Sequence, residues 1–221
     1  MRSKVLICAY REWAHQLYFR LISDPRLTSK YEFISIVDPE SLVKNIEVNP
    51  EIIICIGWSW KVPDEITTKH FVCGIHPSDL PTYAGGSPIQ HQILDGLRQS
   101  KNTLFKFTSD IDNGPIIEKM EFSLDGKITE IFHELTITSL ILITNFLLNY
   151  PSIEFSKPNL PIVRRKRLKP EESKLDIVLP KDVTAKDLYN KIRCRQSPYP
   201  NAFFEDSSGI LRFLDVEFTE K

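Results

Sequence analysis

The sequence predicts an α/β fold: a mostly parallel sheet with helices on both faces, followed by a small C-terminal α+β appendage. Three observations predict it. Short apolar runs at Lys4–Ala9, Tyr31–Val37, Glu51–Ile56 and Phe71–Ile75 alternate with segments of helical character, the order that builds strand–helix–strand units. The third run is continuous and β-branched, as a strand covered on both faces should be. After Tyr150-Pro151 the prolines cluster, at Pro151, Pro158, Pro161 and Pro170. Residues 1–150 therefore read as the main domain and 151–221 as a linker, a helix and a hairpin.

Composition narrows the possible functions. The chain has 221 residues, enough for a substantial core. Its formal net charge is −1, which gives no reason to expect bulk attraction to nucleic acid. Cys8, Cys55 and Cys73 lie inside apolar runs, and Cys194 stands far from them with no Cys-x-x-Cys spacing. Buried reduced thiols, no metal site and a reducing cytoplasm are the expectation. The N-terminus enters a strand without the apolar core of a signal peptide. Ile131–Leu148 is the most apolar stretch, but His133, Glu134, Thr138 and Asn145 interrupt it, so it is expected to be a buried helix and not a membrane span.

The elements follow in order. The first strand leads through Tyr10-Arg11-Glu12-Trp13 into a helix ending near Ile22. This position holds the phosphate turn in a dinucleotide fold, but bulky residues stand where that turn needs glycine; a nicotinamide dinucleotide is not expected. Asp38-Pro39-Glu40-Ser41 starts a short helix. Gly57-Trp58-Ser59-Trp60-Lys61-Val62-Pro63 leaves the third strand, and its two tryptophans either cap the core or wall an aromatic pocket.

The fourth strand ends abruptly at His76-Pro77. Turn residues follow (Ser78-Asp79, Pro81, Gly85-Gly86), then Ser87-Pro88 as the N-cap and first residue of a helix running to about Leu97. A histidine thus sits at the carboxyl end of a parallel strand, the edge where open α/β sheets bind ligands. A fifth run, Thr103–Phe107, enters Asp110-Ile111-Asp112-Asn113-Gly114-Pro115. If the two strands are neighbours, Asp112 or Asp110 meets His76 and forms a proton-moving pair. Pro115–Phe122 is a further strand and Ile128–Asn149 a long helix. Arg164-Arg165-Lys166-Arg167 is either a solvated strand or an electrostatic clamp for a phosphorylated substrate. Lys181–Lys191 reads as helical, and Asn201–Glu205 with Ile210–Phe218 as a hairpin.

His76-Pro77-Ser78-Asp79-Leu80-Pro81, Gly85-Gly86-Ser87-Pro88-Ile89-Gln90 and Asp112-Asn113-Gly114-Pro115-Ile116-Ile117 together resemble the N10-formyltetrahydrofolate-dependent formyltransferases, whose pattern is Asn-x-His-x-Ser-x-Leu-Pro, a glycine-rich turn, then Asp-x-Gly. The chain is most similar to the nucleotide-sugar N-formyltransferases, through its short tail and Ile192-Arg193 followed by Tyr199-Pro200-Asn201-Ala202-Phe203. The resemblance implies a Rossmann-like catalytic domain with His76 as base and Asp112 as its carboxylate. It implies N10-formyltetrahydrofolate as co-substrate, held by Gly57, Trp58, Ser59, Pro77, Asp110 and Gly114. The implied acceptor is a nucleotide-linked amino-deoxysugar of surface polysaccharide synthesis; placement near the same sheet edge, and not the resemblance, offers Tyr10, Arg11, Trp13, Tyr83 and Gln90 to meet it. Tyr83 would stack on a substrate ring or merely cover the edge. A homodimer through an apolar strand of the tail is compatible with this reading; a membrane or nucleic-acid partner is not expected.

The chain departs from the pattern at Gly74, where the family has the asparagine whose amide helps hold the oxyanion. Removing one such donor costs about 3 kcal/mol. Three readings stand: another donor replaces it (Ser78, Gln90, Asn113 or a backbone N–H), His76 as imidazolium carries the oxyanion, or the protein is a non-catalytic folate or nucleotide-sugar binding module. If nothing replaces the amide, Gly74→Asn would raise the rate. Methionyl-tRNA formylation is the rival enzyme reading, since Pro88-Ile89-Gln90 is shared with those enzymes; hydrolysis of formyl-folate is a lesser one.

Overall fold

The structure, a computed structural model, describes residues 2–158, 160–176 and 181–221. Alternating apolar runs and amphipathic segments produce β1 (Ser3–Cys8), α1 (Glu12–Ile22), α2 (Pro25–Thr28), β2 (Tyr31–Ile36), α3 (Pro39–Asn45), β3 (Ile52–Cys55), α4 (Asp64–Lys69) and β4 (Phe71–His76). A two-residue β5 (Ala84–Gly85) and α5 (Pro88–Leu94) follow, then β6 (Gln99–Lys106), β7 (Ile116–Ser123) and α6 (Ile128–Asn149). The C-terminal part contributes β8 (Arg164–Arg165), α7 (Ala185–Arg193), β9 (Phe203–Asp206) and β10 (Gly209–Arg212). The central sheet runs β2-β1-β3-β4-β6-β7, with β5 paired to β8 and β9 to β10.

The first four strands are parallel, and side-chain alternation gives each a double burial. Val5 and Ile7 of β1 join Ile52 and Ile54 under α1 and the second half of α6, whose Leu142, Ile143, Phe146 and Leu147 complete that layer. Leu6, Cys8, Ile53 and Cys55 point to the other face, where Leu42 and Ile66 cover them. Each fully buried Leu or Ile contributes about 1.5–3 kcal/mol. α6 is long and apolar enough to pass for a membrane span by composition; its buried residues are spent on this core and on the one under α5. All four cysteines are free and buried, as expected for Cys8, Cys55 and Cys73 from their apolar runs; Cys194 is buried as well.

The chain order reverses between β1 and β3: β1 connects outward to β2, while β3 connects the other way to β4. A crevice opens at such a switch point, beyond the carboxyl ends of the strands. The loops after β1 and β3 border it and are tied together, since the Tyr10 hydroxyl and Ser59 Oγ lie 2.6 Å apart.

Four local expectations change. Ser87 does not cap α5 with its side chain. It sits in the left-handed region at φ 54° and its Oγ accepts the Leu168 N–H at 3.0 Å, so the residue binds the C-terminal segment instead. α5 stops at Leu94, short of Leu97, because Gly96 takes a positive φ of 79°. α7 starts at Ala185, where Thr184 and Asp187 form a reciprocal cap. The hairpin forms, with both strands shorter than predicted.

The loop after His76 is held from outside by charge. Lys119 of β7 reaches Asp79 and the Leu80 carbonyl (2.6 Å to the latter), and Lys101 of β6 pairs with Asp79 at 3.2 Å. Burial pushes the Asp79 carboxyl up, but the two ammonium groups outweigh it and hold it below its ordinary value of 3.8. A depressed carboxyl contributes stability above its unfolded pKa and loses it as pH falls through the folded one. Asp79→Asn is therefore expected to lower the urea midpoint at pH 7 and to leave it unchanged at the acid extreme, below the folded pKa of Asp79. An equal loss at both pH values would contradict this.

Candidate active site

His76 is the last residue of β4 and is 7% exposed. Its Nε2 lies 2.9 Å from the Tyr83 carbonyl, which only accepts, so Nε2 carries the proton in the neutral ring. Nδ1 is left with its lone pair, 3.8 Å from Oδ1 of Asp112. That is too long for a hydrogen bond but close enough to balance the charge Nδ1 gains on taking a proton. Asp112 is fixed in turn: its Oδ2 accepts the Gly85 N–H at 2.8 Å. The tautomer is thus set by a backbone carbonyl and not by the carboxylate.

The path that brings Asp112 to His76 is indirect. β6 is antiparallel to β4, with Thr103 opposite His76 and Lys106 opposite Cys73. The chain therefore leaves β6 beside Val72, at the far end of β4 from the histidine; the Phe107 N–H reaches the Val72 carbonyl at 2.8 Å. The loop from Phe107 to Pro115 then doubles back, with Asp112 at a φ of 56°.

Two cavities meet at this pair, and both are lined by Trp58, Ser59, His76, Gly85 and Arg167. The first, about 370 Å³, has aromatic walls of Trp58, Trp60, Phe105 and Phe107, with Asp110 and Asp112 on one side. The second, about 390 Å³, is cationic: Arg11, Arg167, Lys169 and Arg195 line it together with Trp13, Gln90 and Tyr199. Burial pushes the Tyr199 phenol up to about 12, so it stays a neutral hydroxyl, although Arg11 and Arg167 pull the other way.

Gly74 is explained by what stands beside it. A β-carbon there would lie 2.7 Å from the Cys55 carbonyl oxygen and 2.7 Å from the Phe107 ring. The Phe107 ring thus fills the space a side chain would take, and the room a Gly74→Asn gain of activity requires does not exist. Each of the three predicted side-chain replacements already makes a hydrogen bond, although the Gln90 and Asn113 amides each keep a second N–H. Ser78 Oγ donates to the Thr82 carbonyl, Gln90 Nε2 to the Cys194 carbonyl and Asn113 Nδ2 to Asp110. Of the donors considered, the His76 Nδ1–H of an imidazolium is the one that faces both cavities.

The other expected residues divide. Gly57, Trp58, Ser59, Pro77, Arg11 and Gln90 line the cationic cavity, with Trp58 and Ser59 shared, and Asp110 lines the aromatic one. The two tryptophans therefore wall a pocket. Gly114 lines neither: a β-carbon on it would fall 1.6 Å from the Lys106 carbonyl oxygen, so its role is to let the loop cross β6. The Tyr10 ring packs on Trp58 and Trp60 as a brace. The Tyr83 ring also lines neither cavity. Its hydroxyl donates to Asp95 at 2.9 Å under the Arg165 guanidinium, and the group that matters is its carbonyl on His76.

The basic run resolves residue by residue. Arg164 pairs with Asp110 at 2.5 Å and Arg165 with Asp95 at 2.7 Å, while β8 lies along β5. The approach is so close that a β-carbon on Gly85 would meet the Arg165 carbonyl oxygen at 2.4 Å and one on Gly86 would meet the Arg167 α-carbon at 2.4 Å. The Gly85-Gly86 pair exists for this contact. Arg167 is left to line both cavities. Arg195 and Phe107 were not singled out from sequence: nothing marks a lone arginine after a helix, or an aromatic residue at a strand end, as facing a site.

Comparison with known proteins decides the family. The model of the family described as formyl transferase matches residues 11–139, more than half of the chain. The chain belongs to the formyl transferase family. Methionyl-tRNA formyltransferase of Rickettsia africae is 29% identical over 180 residues, 78% of this chain and 57% of that protein. The chain thus spans a little over half the length of the curated relatives it matches. The structure of methionyl-tRNA formyltransferase from Clostridium thermocellum superimposes with a TM-score of 0.88 at 27% identity, covering 98% of this chain and 94% of that one. A 4-N formyltransferase from Francisella tularensis shares the fold, with a TM-score of 0.81 at 16% identity over 99% of both chains. The formyl transferase match takes in His76 and Asp112, and the Rossmann-like fold expected from the sequence is the one observed.

Proposed function

We propose that the protein transfers a formyl group from N10-formyltetrahydrofolate to the amine of a nucleotide-linked amino-deoxysugar. The observation that carries this reading is His76 at the junction of an aromatic cavity and a cationic one. Flat aromatic walls suit a pterin ring, and cations suit the phosphates of a nucleotide. The donor supplies an activated formyl carbon. A bond forms between that carbon and the acceptor nitrogen, the bond from the carbon to N10 breaks, and one proton passes from the acceptor amine to N10. Nδ1 of His76 takes the proton, Asp112 balances the imidazolium, and the same Nδ1–H stabilises the oxyanion before the proton moves on. The Tyr83 carbonyl keeps the ring from turning away.

Methionyl-tRNA formylation is the second reading. It is favoured by the names of the relatives at 27–29% identity. The two separate in one assay: kcat/KM for a panel of dTDP- and GDP-amino-deoxysugars against charged initiator tRNA, at equal donor concentration. Product from a sugar nucleotide with none from the tRNA is expected. Efficient tRNA formylation with no sugar product would replace the first reading by the second.

A further inference from the structure

Arg195 lies just past α7 and is 6% exposed, although it carries a charge. Its Nη1 donates to Ser173 Oγ at 2.8 Å, and the guanidinium also lies against the buried Cys194 thiol, a weak neutral acceptor. None of the ion pairs among the described residues includes it. Its neighbour Arg193 is different: that guanidinium is spent on the carbonyls of Leu124 and Gly126 and on Asn190. A guanidinium has five N–H donors, and burying one unpaired is costly. Arg195 therefore has unspent charge and unspent donors, and it faces the cationic cavity.

The rest of the cavity wall agrees. Arg11, Arg167 and Lys169 also line it, and none of them is ion-paired among the described residues. No described Asp or Glu lines it. The indole N–H groups of Trp13 and Trp58, two more lining residues, have no partner either. On the same basic run Arg164 and Arg165 are matched by Asp110 and Asp95, whereas the arginine that faces this cavity, Arg167, is not. Four cations around about 390 Å³, with no carboxylate, make a site short of an anion.

We propose that Arg195, with Arg167 and Lys169, forms the subsite that holds the diphosphate of the acceptor and so seats its amine against His76. This rests on the acceptor reading above and adds the residues that enforce it. Arg195 is a positioning and specificity residue: it touches the phosphates and not the reacting atoms. Arginine suits the task because its planar fork meets two phosphate oxygens at once.

The test is titration calorimetry of dTDP, GDP and inorganic pyrophosphate into the parent protein, Arg195→Gln and Arg167→Gln, with acceptor kinetics alongside. A charge-assisted hydrogen bond is worth about 10- to 100-fold in affinity. Arg195→Gln is expected to weaken nucleoside diphosphate binding by about that factor and to raise the acceptor KM equally, with kcat and donor KM held. The unliganded Arg195→Gln protein should melt no lower than the parent, since an unpaired buried charge has been removed. Arg167→Gln, at an exposed position, should show the same pattern to a smaller degree and serves if Arg195→Gln does not fold. Parent-like binding of pyrophosphate and nucleoside diphosphate by both variants would overturn the subsite. So would sugar formylation with an unchanged acceptor KM in Arg195→Gln, which would leave the proposed reaction intact. Arg195-dependent binding of nucleoside diphosphates with no transfer to any amino sugar would support the subsite and defeat the proposed reaction.

Discussion

His76→Ala is expected to lower the rate of formyl transfer by about 10²–10⁴-fold, the usual worth of a positioned general base, while affinity for the folate stays within a few fold. The ring is the one group that both cavities share and that can take a proton there. Asp112→Asn separates charge from shape. Asparagine tolerates the positive φ of 56°, and its amide oxygen still accepts the Gly85 N–H, so the loop keeps its form. The carboxylate opposite Nδ1 disappears, and kcat is expected to fall by about 10²-fold or more with little change in either KM. Single-turnover kinetics with mass detection of the formylated product would measure both variants. A folded His76→Ala protein that transfers formyl at the parent rate would remove the histidine from the mechanism.

Gly74→Asn is expected to damage the protein, although it restores the residue type found in the family pattern. Its β-carbon would stand 2.7 Å from the Cys55 carbonyl oxygen on the neighbouring strand and 2.7 Å from the Phe107 ring. One neighbour is backbone in the middle of the sheet and the other an aromatic wall of the first cavity, so neither yields cheaply. Overpacking of this kind costs about 1–3 kcal/mol or more. The displaced Phe107 would also fill the cavity that we assign to the folate. The urea midpoint should drop and the donor KM should rise. Gly74→Asn combined with Phe107→Ala should recover part of the donor affinity, because the ring no longer competes for the space. Parent-like stability with a faster rate in the single variant would show that the amide fits after all.

Much of this was legible in the chain, and what was not has identifiable physical causes. The β-branched runs at Ile52–Cys55 and Phe71–Ile75 gave their strands away because burial on both faces leaves no polar alternation. His76 was legible because proline and turn residues follow a strand end directly. The route of the loop to Asp112 was not, since whether β6 runs with or against β4 depends on pairing across the sheet, and its local sequence does not differ. Ser87 has the composition of a cap, yet its side chain is claimed by Leu168, 81 residues away in sequence. Arg193 and Arg195 look alike in sequence; one is absorbed by carbonyls and the other faces a cavity, a difference fixed by how α7 docks on α5. Gly85-Gly86 was read as a turn, whereas the close approach of β8 is what excludes a side chain there. Long-range partners decided each of these cases.

The most direct test of the central claim, that His76 joins a folate cavity to a phosphate-binding acceptor cavity, is to follow an isotopically labelled formyl group. The protein would be mixed with N10-formyltetrahydrofolate carrying ¹³C in the formyl carbon, together with a panel of nucleoside diphosphate amino-deoxysugars and charged initiator tRNA, and products would be identified by mass spectrometry. The account predicts labelled formyl on a sugar amine, produced by the parent and lost in His76→Ala. Labelled formate released without any acceptor, or folate bound with no labelled product from any acceptor, would contradict it.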